Sequence, residues 1–302
     1  MRRVVAAGVA AALSVGALAA CAPASDGPRI VVTTNILGDV VETLVGDQVE
    51  VTTLMQPNAD PHSFEISAQQ AAAMEGADLV VENGLGLEEG LVQHVETAEA
   101  AGVAIVAAGD AVDVLEYSSE DASGDDPHWW TDPTQMLAVV DELEDAIAEH
   151  VDGVDVDALT QAADDYRAEL EALDADLAQR FEALGADRRV LVTNHHVFGY
   201  MAERYDFRIV GAVIPGGSTL AAPSASDLDD LASAITDAGV PVIFAESSQP
   251  DRLIQVLAEE AGVDVRVETL FTESLTEPGE GAATYLELMQ ANVDRIEAAL
   301  AA

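Results

Sequence analysis

The sequence predicts an α/β protein of two lobes, each a mostly parallel sheet flanked by helices, joined by one long interlobe helix. Three observations predict it. Short β-branched runs alternate with helical periodicities over the first part of the chain, the alternation resumes over the last part, and the stretch between holds one unbroken helical face without a strand. Alternating strand and helix implies parallel strands in a sheet covered on both faces.

Taken in order, Arg29–Thr34 is a β-branched run, Asn35 is placed as a cap, and Ile36–Val45 is apolar at helical spacing. Further strands fall at Val49–Met55, Leu79–Glu82 and Ala104–Ala107, with helices at Ala68–Glu75 and Leu87–Glu96. Thr134–His150 and Asp157–Leu184 contain no convincing strand. In the latter, Leu159, Tyr166, Leu170, Leu173, Leu177, Phe181 and Leu184 stand 7, 4, 3, 4, 4 and 3 positions apart, which is one continuous face. Twenty-eight residues at about 1.5 Å each give about 42 Å, longer than an ordinary domain helix, and Gly185 stands where a helix end favours glycine. A helix of that length between two α/β blocks reads as a spine joining them.

The second block runs strand Arg189–Thr193, helix Val197–Tyr205, strand Phe207–Val213, a Pro215-Gly216-Gly217 turn, helix Ser226–Ala238 and strand Val242–Ala245. Helix Arg252–Ala261, strand Val263–Glu268 and a final helix near Ala283–Ala301 complete it. The architecture of the first block is repeated without evident duplication of sequence.

Ahead of both blocks, Arg2 and Arg3 precede the uncharged apolar run Val4–Ala20, the pattern of an export signal. The run ends in Leu18-Ala19-Ala20-Cys21, which resembles the bacterial lipobox whose cysteine is lipidated. Cys21 is the only cysteine, so neither an intramolecular disulfide nor a thiolate metal cluster is available. More than one acyl chain on it would hold the protein at a bilayer surface. The expected organisation is an export signal at 1–20, lipidated cysteine and tether at 21–28, first lobe at 29–150, connecting helix at 151–187 and second lobe at 188–302. No later stretch reaches the roughly 18 uncharged apolar residues that a membrane span needs. The expected location is extracytoplasmic, on the outer face of the cell membrane.

Acidic residues number 56 against 12 basic ones, all arginine, for a formal net charge of −44. Such a surface repels a phosphate backbone and excludes nucleic acid as a partner. It does not by itself argue for a metal site, because a solvated acidic surface explains it equally well.

The six histidines are more informative. His62, in Asn58-Ala59-Asp60-Pro61-His62-Ser63-Phe64-Glu65, follows a strand, and His128 lies in Asp126-Pro127-His128-Trp129-Trp130-Thr131-Asp132-Pro133. Both follow Asp-Pro, where proline stiffens the approach by fixing φ. His195 and His196 follow the strand Val190–Thr193 at the equivalent place in the second block. Loops at strand C-terminal ends are where open α/β sheets place ligands. A lone loop histidine is usually only hydrogen-bonded, but three at such junctions point to metal ligation, leaving one position for a carboxylate or water. His94, inside a helical pattern, and His150, at a helix end, read as surface residues.

The phrases Gln56 to Glu65, Asn83-Gly84-Leu85-Gly86-Leu87-Glu88, Asp126-Pro127-His128-Trp129 with Asp132-Pro133, and His195 with Phe198-Gly199-Tyr200 resemble the cluster A-I metal-binding lipoproteins. These are the zinc and manganese solute-binding proteins of ABC importers, and some are viewed as adhesins. The resemblance runs from about Arg29 to the C-terminus and implies two ligands from each lobe. His62, His128 and His195 match the first three, and Glu273, in Leu270-Phe271-Thr272-Glu273-Ser274-Leu275, stands where the family usually has Asp. His196, at a position often acidic in the family, is the alternative to His195. Glu246 matches a family acidic position and is expected in a supporting polar role, with direct ligation of the metal the alternative. Asp126 and Asp132 are candidates to orient His128, since ligating imidazoles usually donate their other N–H to a carboxylate or carbonyl.

Three nitrogens and one carboxylate suit Zn²⁺, and histidine rather than a carboxylate at 195 tilts the balance from Mn²⁺, the alternative. Against zinc, the loop from Glu116 to Asp126 lacks the histidines that many zinc-dedicated members carry. The implied function is capture of a divalent metal and delivery to an ABC permease by a monomer held to the membrane by its lipid. A zinc hydrolase would need an open coordination position and a general base, and no His-Glu-x-x-His helix is present. A binding protein for a chelated iron complex would call for an aromatic or arginine-lined cleft, and aromatics are only 4% of the chain.

Overall fold

The computed structural model describes residues 27–117, 119, 121–249, 252–260 and 266–301. The export segment, Cys21 and most of the tether lie outside them, as does the beginning of the strand expected at Val263–Glu268. No helix among the described residues is long and apolar enough to cross a membrane.

The first sheet holds β1 (Arg29–Val32), β2 (Glu50–Thr53), β3 (Leu79–Glu82) and β4 (Ala104–Ala107) in the order β2-β1-β3-β4. The second holds β5 (Val190–Thr193), β6 (Arg208–Ala212), β7 (Val242–Glu246) and β8 (Arg266–Leu270) in the order β6-β5-β7-β8. Both orders are the same permutation, and every pairing among the described strands is parallel. In such a sheet the first strand lies inside, flanked on each side, and the connections leaving the two inner strands run to opposite faces, which opens a crevice at the strands' C-terminal ends.

Strand alternation sorts side chains between two layers. Ile30 and Val32 of β1 and Leu79 and Val81 of β3 join one large core, whereas Val31 and Val80 turn to an outer cluster with Met74, Leu91 and Val95. In the second sheet Leu191, Val242 and Phe244 enter the same large core, and Val192, Ile243 and Ala245 pack outward with Ile235 and Leu257. The two sheets therefore share one continuous apolar interior.

That interior is built around helices. The connections of the first sheet include α1 (Asn35–Val45), α2 (Ala68–Glu75) and α3 (Val92–Ala101), followed after β4 by α4 (Pro133–His150) and α5 (Val156–Leu184). The second sheet carries α6 (Gly199–Tyr205), α7 (Ala225–Ala238), α8 (Arg252–Glu260) and α9 (Tyr285–Leu300). The 29-residue α5 begins at Asp155, whose side chain accepts the N–H groups of Asp157 and Ala158, and ends at Gly185 with φ of 80°. Its buried face is Leu159, Ala163, Tyr166, Leu170, Leu173, Leu177 and Phe181, in line with the spacing read from the sequence. Phe181 meets Tyr205 and Phe207 at ring-centroid distances of 5.2 and 4.9 Å, so the far end of α5 is anchored in the second lobe.

One element departs from expectation. The helix expected at Leu87–Glu96 begins only at Val92, because Gly84, Leu85 and Gly86 all take positive φ and Glu88 is drawn inward. Glu88 accepts the Thr33 hydroxyl at 2.6 Å and the Asn83 N–H at 2.7 Å, which a helical backbone starting at Leu87 would not allow.

Candidate metal centre

His62, His128 and His195 each lie on a connection that leaves the C-terminal side of a sheet, a long one after β4 in the case of His128, and each ring is buried. In both Asp-Pro-His turns the aspartate two residues earlier accepts the histidine N–H. Asp60 Oδ1 receives that of His62 at 2.9 Å, and Asp126 Oδ1 that of His128 at 3.0 Å. The repeated motif thus encodes one local structure used twice.

Together with Glu273, these three rings bring four ligand atoms within 4.8 Å of one another. The Nε2 atom of His128 lies 3.3 Å from that of His62 and 3.2 Å from that of His195. Glu273 Oε1 lies 3.0 Å from His62 Nε2, 3.4 Å from His128 Nε2 and 3.2 Å from His195 Nε2. A tetrahedron of ligands at zinc bond lengths of about 2.0–2.1 Å has edges of about 3.3–3.4 Å, so the spacing fits one small cation.

Proton positions argue the same way. His128 Nδ1 lies 2.7 Å from Asp126 Oδ1, and His195 Nδ1 is bonded to Glu246 Oε1. Each carboxylate accepts the Nδ1–H of its ring, which leaves the Nε2 lone pair facing the centre. Glu273 is buried, and neither of its oxygens finds a hydrogen-bond donor among the described residues. Lone pairs of several side chains therefore converge where only a cation or protons can reconcile them. Without a cation, burial disfavours charge on His195, yet the neighbouring Glu246 and Glu273 carboxylates outweigh it and hold the imidazole well above its ordinary range. His128 is raised in the same manner, burial being overcome chiefly by Asp126. Burial would raise Glu273, but His195, His128 and His62 hold it well below the usual carboxylate range.

The other expected residues sort clearly. Glu246 and Asp126 support rings rather than entering the cluster. His196 turns away from the cluster, its Nε2 3.1 Å from Asp121 Oδ1, and it is His195 whose ring joins the other three ligand atoms. Asp132, expected to orient His128, instead caps α4, where its Oδ1 accepts both the N–H and the hydroxyl of Thr134 at 2.8 Å. The short helical turn at Trp129–Thr131 carries the chain past His128 and leaves Asp132 facing α4. His150 is exposed and His94 half-buried, both outside the cluster.

Several residues that build the centre were not singled out by the sequence. Gly199 is one: a Cβ there would sit 2.3 Å from Asp126 Oδ2, so only glycine lets that carboxylate reach His128. Asn83 donates its side-chain amide to Pro127 O at 3.0 Å and so fixes the turn that carries His128. The Glu273 loop is held from the first lobe. Asn35 donates to Ser274 Oγ at 2.9 Å and accepts the Leu275 N–H at 2.9 Å, and Trp130 Nε1 donates to Thr272 O at 2.9 Å. Asn58 N–H adds a bond to Leu275 O at 2.9 Å. The polar residues of the motifs were the available signal, but their partners lie from 44 to 240 positions away.

Two like-ordered parallel sheets with a buried cluster of three imidazoles and one carboxylate at their seam define a two-lobed metal-binding protein. The model of the family described as zinc-uptake complex component A, periplasmic, matches residues 30–299. The chain belongs to that family. It is 31% identical over 283 residues to the zinc-binding protein TroA of Treponema pallidum, covering 92% of this chain and 91% of that one. The solved structure of that periplasmic zinc-binding protein superposes with a TM-score of 0.84 at 31% identity, over 91% of this chain and 99% of that one. The manganese-binding lipoprotein MntA of Halalkalibacterium halodurans is 27% identical, covering 89% of this chain and 87% of its own. The manganese-bound periplasmic metal-binding protein of candidatus Liberibacter asiaticus matches with a TM-score of 0.79 at 25% identity, over 90% and 99% of the two chains.

Proposed function

We propose that this chain is an extracytoplasmic solute-binding protein that captures a divalent transition metal, zinc in preference to manganese, and delivers it to the permease of an ABC importer. His62, His128, His195 and Glu273 are the ligands, Asp126 and Glu246 fix the rings of His128 and His195, and Cys21 carries the lipid that tethers a monomer to the membrane. The organisation is an export signal at 1–20, a lipidated cysteine and tether at 21–28, lobes at 29–150 and 188–302, and the connecting helix at 151–187. The observation that carries the reading is the approach of four buried ligand atoms within 4.8 Å.

Zinc is favoured because three imidazoles and one carboxylate close a tetrahedron that suits it, whereas manganese sites are richer in oxygen. Four protein ligands leave no position for an activated water, so the ion is cargo and the protein is not an enzyme. Elemental analysis of the purified mature domain, with Zn²⁺ and Mn²⁺ in competition, tests this. One equivalent of zinc is expected, and His62→Ala, His128→Ala, His195→Ala and Glu273→Ala should each lose it. Full retention by any of these four would remove that residue from the ligand set, and a preference for Mn²⁺ would reassign the cargo.

A further inference from the structure

Asp60 and Asp126 hold equivalent places in their turns, but their carboxylates are used differently. Asp126 stays with its own histidine, its Oδ1 accepting both the backbone N–H and the ring Nδ1–H of His128. Asp60 leaves the His62 ring alone and presents Oδ2 across the seam. There it accepts the Thr219 hydroxyl at 2.7 Å and the Gln249 side-chain amide at 2.6 Å, besides the Ser63 hydroxyl at 2.9 Å. Thr219 and Gln249 lie on the loops that follow β6 and β7, so two of these donors come from the other lobe.

A second bond crosses nearby. Tyr117 donates its hydroxyl to Gly217 O at 3.0 Å, and its ring lies so close that a Cβ on residue 217 would meet it at 2.3–2.4 Å. Tyr117 OH is also 3.5 Å from His128 Nδ1. The loop through Gly217 and Thr219 is thus fastened to both first-lobe loops that carry histidines of the centre.

We propose that Asp60 is a positioning residue that holds His62 with one oxygen and the second lobe with the other. The time the ion stays bound and the joining of the two lobes are then set by the same carboxylate. Hydrogen bonds to an ionised acceptor are among the strong ones, and a buried carboxylate deprived of its donors is left uncompensated. Separation of the lobes strips Thr219 and Gln249 from Asp60 and loosens the turn that aims His62. The idea rests on the metal-capture reading above, so its test includes a measurement that needs no metal.

Thr219→Val and Gln249→Leu touch neither His62 nor any other proposed ligand. Zinc release from the loaded, full-length protein into a chromogenic chelator, followed by stopped flow, should be about tenfold faster in each variant. Capture should stay within about twofold of the parent, because changes of this kind act on dissociation. In the metal-free protein, hydrogen exchange of the His62 amide should rise about tenfold in both variants, although both substitutions lie in the other lobe. Asp60→Asn, which keeps an acceptor for the His62 N–H but not the one that faces the second lobe, should exchange that amide more slowly than Asp60→Ala and about as fast as Thr219→Val, while still releasing zinc fast. Parent-like zinc release in Thr219→Val and Gln249→Leu overturns the proposal, whatever the amide does. An unmoved His62 amide in both overturns the cross-lobe link. A parent protein that holds no zinc defeats the metal-capture reading instead, and the exchange measurement still decides whether Asp60 joins the lobes.

Discussion

At the scale of single residues, the centre is a set of lone pairs aimed inward by carboxylates placed behind them. Protons compete with a metal for those lone pairs. Because Glu246 and Glu273 raise His195, and Asp126 raises His128, competition begins at a higher pH than an ordinary imidazole near 6.5 would give. Zinc affinity, measured by competition titration from pH 8 to pH 5, should therefore already be falling above pH 6.5, by about tenfold per pH unit for each proton displaced. A flat profile over that range would contradict a histidine site. Gly199→Ala tests the support behind His128. Its Cβ would displace Asp126 Oδ2, and loss of such a supporting partner costs about 10–100-fold in metal affinity. The circular dichroism spectrum of that variant should match the parent's.

At the scale of elements, most of the architecture was legible because its signals are local. β3 and β4 begin and end where the β-branched and apolar runs do, and the buried face of α5 is the one that its leucine spacing announced. The start of α3 was not legible. Leu87 and Leu91 are buried at helical spacing, but they do so from turns forced by positive-φ Gly84 and Gly86 and by the inward Glu88. The histidines of the centre could be picked from strand-to-loop junctions, whereas Glu273 was reached only through family resemblance. Nothing within its own phrase distinguishes it from 55 other acidic residues, since what places it is Asn35 and Trp130, both more than 140 positions earlier in the chain. Asp132 caps α4 and not the His128 ring, two placements of an aspartate that look alike in sequence.

The join between α1 and α9 gives another elemental prediction. Asp39 accepts the Tyr285 N–H at 2.8 Å, and burial pushes its carboxyl up to about 6 despite that bond. The folded chain therefore binds this proton more tightly than the unfolded chain does. The associated stability is complete below pH 4 and is lost as pH rises through 6. Asp39→Asn, which keeps an acceptor, should raise the thermal midpoint at pH 7 by an amount equivalent to about 1–3 kcal/mol and leave it unchanged near pH 3.5.

At the scale of the whole molecule, the continuous core predicts that the two lobes melt together. Trp129 and Trp130 belong to the first lobe and far-UV dichroism reports on both, so the two probes should give coincident denaturation curves. Two separated transitions would mean that α5 and α9 do not couple the sheets. The net charge of −44 adds a general self-repulsion, which screening relieves. The common midpoint should therefore rise as sodium chloride is raised from 10 to 500 mM.

By position in the chain, the four proposed ligands divide evenly between the lobes. By attachment they do not, because Asn35, Asn58 and Trp130 bind the backbone and side chains around Glu273 to the first lobe. A swing of the second sheet would then draw the imidazole of His195 away first, while the bonds from Asn35, Asn58 and Trp130 would keep Glu273 beside the first lobe. The corner of the cluster that faces the second lobe would thus be the one through which a cation comes and goes.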